Sequence, residues 1–153
     1  MEVLISACLL GLKCRYDGGG KALPPLAELL GRADLSFVPV CPEQLGGLPT
    51  PRPPAERVGE RVRTRDGGDV TEQYARGAAQ AEELARLTGC RCALLKARSP
   101  SCGSGVIYDG TFTGARVSGD GLAAAALRER GVALFTEEEE EALWRFLNAG
   151  AET

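Results

Sequence analysis

Val3-Leu4-Ile5-Ser6-Ala7-Cys8 opens the chain with a short apolar run rich in β-branched residues and followed by Gly11. A run of this length without polar alternation is what a strand buried on both faces requires. Three more such runs follow: Leu35–Val40, with Pro39 weakening its end, then Cys92–Ala97 and Val132–Phe135. Helical spacing of apolar residues fills the gaps. Leu23 to Leu30 has a Pro-Pro start and is stopped by Gly31, and Tyr74, Ala78, Ala81, Leu84 and Ala85 share one face of a helix ended by Gly89. Leu122 to Arg130 is Ala-rich and stopped by Gly131, and a last helix runs through Leu147. Asp69 with Glu72, and Thr136 with Glu139, have the spacing of capping boxes. Strands alternating with helices predict a mostly parallel sheet covered on both faces. The segments 57–66 and 106–112, the latter with Asp109-Gly110, read as hairpin additions. Residues 1–153 thus read as one domain of a three-layer, Rossmann-like α/β class.

Composition narrows the chemistry. The net charge is −3, which offers no general attraction to nucleic acid. There is no histidine, so the usual general base and the commonest metal ligand are missing. No apolar run approaches the ~20 residues of a membrane helix, and Glu2 sits where a signal peptide carries positive charge. A cytoplasmic setting is expected. There, six cysteines suggest packing, metal binding or catalysis rather than a disulfide framework.

In an open α/β sheet the ligand crevice lies beyond the carboxyl ends of the strands. Three of the four strands deliver a cysteine there: Cys8 after the first, Cys41 after the second, and Cys102 in the loop after the third. They are 33 and 61 positions apart, so no local motif marks them, and each alone reads equally as a small core residue. Cys14, in the glycine-rich loop after the first strand, either reaches this site or is a partly exposed loop thiol. Cys90 and Cys92 lie at the opposite edge, on one face, and read as packing. Glu43, in the proline-rich loop 41–54, is the best-placed general base in a chain without histidine. Ser99 and Ser101 flank Pro100 beside Cys102 and either donate hydrogen bonds to a ligand or cap their loop. Arg15, before Gly18-Gly19-Gly20, reads as an anion holder beside a phosphate cradle that lacks a Walker lysine or GxGxxG pattern, and Arg52 reads as an anion clamp or an exposed salt-bridge partner. Lys96 reads as a strand-edge residue with its stem buried or as part of the site.

Taken together, Ser6-Ala7-Cys8-Leu9-Leu10-Gly11, Arg15-Tyr16-Asp17-Gly18, Cys41-Pro42-Glu43, Gly46-Gly47-Leu48, Pro51-Arg52, Gly68-Asp69-Val70-Thr71, Leu95-Lys96, Ser99-Pro100-Ser101-Cys102-Gly103 and Tyr108-Asp109-Gly110-Thr111-Phe112 resemble the DUF523 family, which includes the thiouracil desulfidases. The resemblance implies a 4Fe-4S cluster held by Cys8, Cys41 and Cys102, with one iron lacking a protein ligand. It implies non-redox, hydrolytic removal of sulfur from 2- or 4-thiouracil, or its nucleoside or nucleotide, giving uracil and sulfide. Glu43 is then the base, and Ser99 and Ser101 position substrate or water, the resemblance pointing more to Ser99. Cys14 as a fourth ligand would close the site. Thiolated tRNA is the less favoured substrate, and a non-catalytic iron–sulfur or sulfide carrier and a zinc-binding module are the alternatives from other classes.

Overall fold

The computed structural model describes residues 1–20 and 26–151. Its strands in chain order are β1 (Glu2–Ser6), β2 (Ser36–Val40), β3 (Ala55–Val58), β4 (Arg61–Thr64), β5 (Cys92–Leu95), β6 (Val106–Tyr108), β7 (Arg116–Ser118) and β8 (Ala133–Thr136). Its helices are α1 (Leu26–Leu30), α2 (Pro42–Leu45), α3 (Thr71–Thr88), α4 (Leu122–Glu129) and α5 (Glu140–Ala151). The four apolar runs form one parallel sheet in the order β2-β1-β5-β8, as their composition requires. β3 with β4 and β6 with β7 form two antiparallel ribbons outside it.

Alternation along the two central strands splits the core into two layers. Leu4, Ala93 and Leu95 face α3 and α4, meeting Ala78, Ala81, Ala85, Ala124 and Leu127. Val3, Ile5, Cys92 and Leu94 face α1 and α5, meeting Leu29, Leu143 and Leu147. With a helix layer on each side, neither strand has a solvent face, which is why both read as continuous apolar runs. β2 is an edge, so Pro39 withholds its missing N–H from no further neighbour. The chain leaves β1 for β2 on one side and returns to β5 on the other. The strand order therefore reverses at β1 and β5, and the crevice opens above their carboxyl ends.

Several local expectations are corrected. The first strand ends at Ser6, and Ala7–Leu10 form a single 3-10 turn closed by Gly11 at φ 93°. Loop 41–54 contains α2, with Pro42 at its first position where a missing N–H costs nothing. Asp69 accepts the Thr71 N–H at 2.9 Å, but Glu72 pairs with Arg76 instead of closing a capping box. At Thr136–Glu139 half of the box forms, Glu139 Oε1 accepting the Thr136 N–H at 3.1 Å, but the Thr136 hydroxyl takes the Glu138 N–H and α5 begins only at Glu140. Asp109-Gly110 is not a two-residue hairpin. The connection runs over residues 109–115, and Asp109 accepts both the N–H and the hydroxyl of Thr111. Cys90 and Cys92 sit in different core layers, because Cys90 precedes the strand and its N–H still bonds the Ala85 carbonyl of α3. The Pro-Pro start of the first expected helix lies outside the described residues. Among the described residues no helix is long and apolar enough to cross a membrane.

α2 is one turn long and is held on α3 by mutual glycine contact. A Cβ on Gly77 would stand 1.9 Å from the Pro42 carbonyl oxygen, and one on Gly46 would stand 2.0 Å from that of Gln73. Both neighbours are backbone, so neither can yield without displacing the helix. Gly77→Ala is expected to lower stability by about 1–3 kcal/mol despite alanine's better helix propensity. The midpoint of urea unfolding reads this, and an unmoved midpoint would mean that α2 lifts from α3 at no cost.

Candidate active site

The strand ends converge on a cleft of about 360 Å³. Cys8 comes from the 3-10 turn after β1, Cys41 from the junction of β2 and α2, and Cys102 from the loop after β5. Cys14 lines the same cleft and is 6% exposed, so it is not a partly exposed loop thiol. All four are free thiols. Burial pushes the Cys102 thiol up to about 12, opposed by hydrogen bonds from Ser6 and Ser101. It raises Cys8 too, with Cys41 adding to the shift and the Lys96 and Arg15 cations opposing it. Cys14 is pushed up to about 12 by burial and by the neighbouring Cys41 and Cys8. The Cys41 sulfur is 3.6 Å from the Cys14 carbonyl oxygen.

Among the described residues no three Cys, Asp or Glu side chains meet at the one point that a lone metal ion needs. Soft thiols spread around a cleft suit a polynuclear centre instead, in which each binds a different metal. Thiols without imidazoles are a soft donor set, and this one fits an iron–sulfur cluster.

Glu43 projects from α2 into this cleft and is held by three donors. Arg52 Nε and the Tyr74 hydroxyl both reach Oε1 at 2.9 Å, and the Ser101 hydroxyl reaches Oε2 at 2.7 Å. Ser101 is 2% exposed. Because its proton is spent on Glu43, the 2.9 Å contact between Ser101 Oγ and Ser99 Oγ is donated by Ser99. Ser99 Oγ in turn accepts the N–H groups of Ser101 and Cys102, both at 3.1 Å. The structure therefore puts Ser101 against the carboxylate. Ser99, which also lines the cleft, is one step further along the same hydrogen-bonded line.

Arg52 is a salt-bridge partner, of Glu43, but a buried one. Its side chain is 4% exposed, and besides Glu43 it serves the carbonyl oxygens of Pro49 and Cys14 and the Thr50 hydroxyl. Tyr74, 3% exposed on α3, carried no sign of a polar role in the sequence beyond being the one phenol on an otherwise apolar helix face. Burial, then the charge of Glu43, raise its hydroxyl well above the usual tyrosine range. Lys96 lines the cleft with its ammonium 3.0 Å from Glu137, and Glu137 also accepts the Ala97 N–H. Gly18–Gly20 is no phosphate cradle. The Gly19 N–H is taken by Asp17, and a Cβ on Gly20 would stand 2.3 Å from the Leu12 carbonyl oxygen. At the cleft wall Arg15 lies over the Tyr16 ring and Arg65 over Phe112, at 5.9 and 5.6 Å from the ring centroids.

The profile of the 2-thiouracil desulfurase family matches residues 3–139. The protein YbbK of Bacillus subtilis (strain 168) is 40% identical, with 90% of this chain and 96% of that one aligned. A solved structure, of the 4Fe-4S-dependent thiouracil desulfidase TudS (DUF523Vcz), is 46% identical and superimposes with a TM-score of 0.90, covering 97% of this chain and 98% of that one.

Proposed function

This chain belongs to the 2-thiouracil desulfurase family, and from that premise we propose that it hydrolyses the C=S bond of a thiolated uracil, giving uracil and sulfide. Cys8, Cys41 and Cys102 would hold a 4Fe-4S cluster and, with Cys14 remaining a thiol beside it, one iron would have no protein ligand. What supports this most is that three thiols from three separate strand ends line the same cleft as Glu43. When bound, the cluster supplies a soft Lewis acid suited to a thiocarbonyl sulfur. Glu43 takes a proton from the water that attacks the ring carbon. Water oxygen replaces sulfur, the sulfur departs with its bonding electrons as hydrosulfide, and no electron leaves the system. Ser101 orients the Glu43 carboxylate, and Ser99 holds Ser101 in place by donating to its hydroxyl oxygen. The Lys96 cation offsets negative charge near Cys8. Tyr16, Tyr108 and Phe112 offer apolar walls to a flat ring. The guanidinium groups of Arg15 and Arg65 at the cleft wall bring positive charge suited to a phosphate, which favours the nucleotide form of the substrate over the bare base.

Purification without oxygen tests the reading. The protein is expected to be brown, with about four irons and four sulfides per chain, and to release sulfide from 2- or 4-thiouracil or their nucleotides in equal amount to uracil, without a reductant. A brown protein that releases no sulfide would point to a carrier, and a colourless one with stoichiometric zinc to a structural module. Either result overturns the proposal.

A further inference from the structure

We infer that Tyr74 is a positioning residue for the desulfuration, acting through Glu43 by occupying one of its two carboxylate oxygens. This rests on the reading of Glu43 as the base. A carboxylate has about four lone-pair sites, two on each oxygen. The Tyr74 hydroxyl and Arg52 Nε fill both sites on Oε1, and Ser101 fills one on Oε2. One vacancy remains, on Oε2, beside Ser101 and Ser99. The proton lost by the attacking water therefore has a single landing place, facing the serines.

The hydroxyl is not needed to dock the helices. α2 already rests on α3 through the backbone contacts at Gly46 and Gly77, which lie one turn on from Glu43 and Tyr74. An apolar ring would fill the same volume, and a buried hydroxyl costs free energy unless it is bonded. Its hydrogen-bond partner is Glu43. The phenol thus serves the carboxylate. Its hydrogen bond blocks the rotation that would swing a bound oxygen toward the cleft and the open one away.

The test compares Tyr74→Phe in the cluster-loaded protein with the same change in a Glu43→Gln background. In the native background kcat is expected to fall about tenfold, the kinetic equivalent of one hydrogen bond to a charged group. KM should stay within about twofold and iron per chain should be unchanged. In the Glu43→Gln background Tyr74→Phe should alter the residual turnover, followed as slow sulfide accumulation, by less than about twofold. Unchanged kcat, a loss confined to KM, or an equal loss in both backgrounds overturns the inference. Wild-type turnover in Glu43→Gln alone instead removes Glu43 as the base. Should the phenylalanine chain fail to load iron, Tyr74→Met makes the same comparison.

Discussion

Glu43→Gln is expected to keep its iron while losing about 10²–10⁴-fold in turnover, the usual worth of a positioned general base. The substitution is nearly isosteric, and the network tells which way the amide turns. Its oxygen must stay at the Oε1 position, where Arg52 and Tyr74 both donate. Its nitrogen then faces Ser101, whose hydroxyl can accept as well as donate. The geometry survives and the proton acceptor is gone. One side effect is expected. Arg52, with its side chain 4% exposed, loses its counter-charge, and stranding one partner of a buried pair costs about 3–5 kcal/mol. Turnover must therefore be expressed per iron-loaded, folded chain. Full activity on that basis would show that the water is activated elsewhere.

Cys102→Ala is expected to abolish sulfide release and reduce iron to a small fraction of the wild-type content, while Cys90→Ala changes neither. The two cysteines are nearly equally buried, at 5% and 7% exposure, so packing alone does not separate them. Position does. Both pack in the α3 and α4 layer, but Cys102 lines the cleft with Cys8 and Cys41, whereas Cys90 lies at the amino end of β5, away from it. Each variant removes one buried sulfur and leaves a similar small void, so each should cost a similar, modest amount of stability. Iron and sulfide analysis after anaerobic purification measures the difference. Normal cluster content in Cys102→Ala, or loss of the cluster in Cys90→Ala, would show the ligand assignment to be wrong.

The strands were the most legible part of the chain. Val3–Ile5 and Cys92–Leu95 are uninterrupted apolar stretches, and their shortness suits strands of a sheet buried on both sides better than a buried helix. The rule that ligands bind beyond the carboxyl ends then brought Cys8, Cys41 and Cys102 to one edge, where the structure has them lining one cleft. Reading failed where a local pattern had a competing partner. Glu72 has capping-box spacing, yet Arg76 one turn along takes its carboxylate. Asp109-Gly110 has the residues of a tight hairpin, yet Glu56, far earlier in the chain, accepts the N–H groups of Gly110 and Phe112 and holds the wider loop. Arg52 read as an anion clamp or an exposed salt-bridge partner; the ion pair is there, but its proline-rich surroundings gave no hint that it would be buried.

What the sequence determined by itself was the parallel sheet, the edge that carries the site, and the set of thiols and carboxylate available there, because burial of apolar runs and strand polarity are properties of short segments. Only the tertiary structure decided how those groups are joined. Glu43 meets Tyr74 across 31 positions and Ser101 across 58, and Arg52 reaches the Cys14 carbonyl across 38. Such meetings follow from which helix packs on which, here through a pair of glycines, and no periodicity in a short segment encodes the residue it will face after the chain has folded.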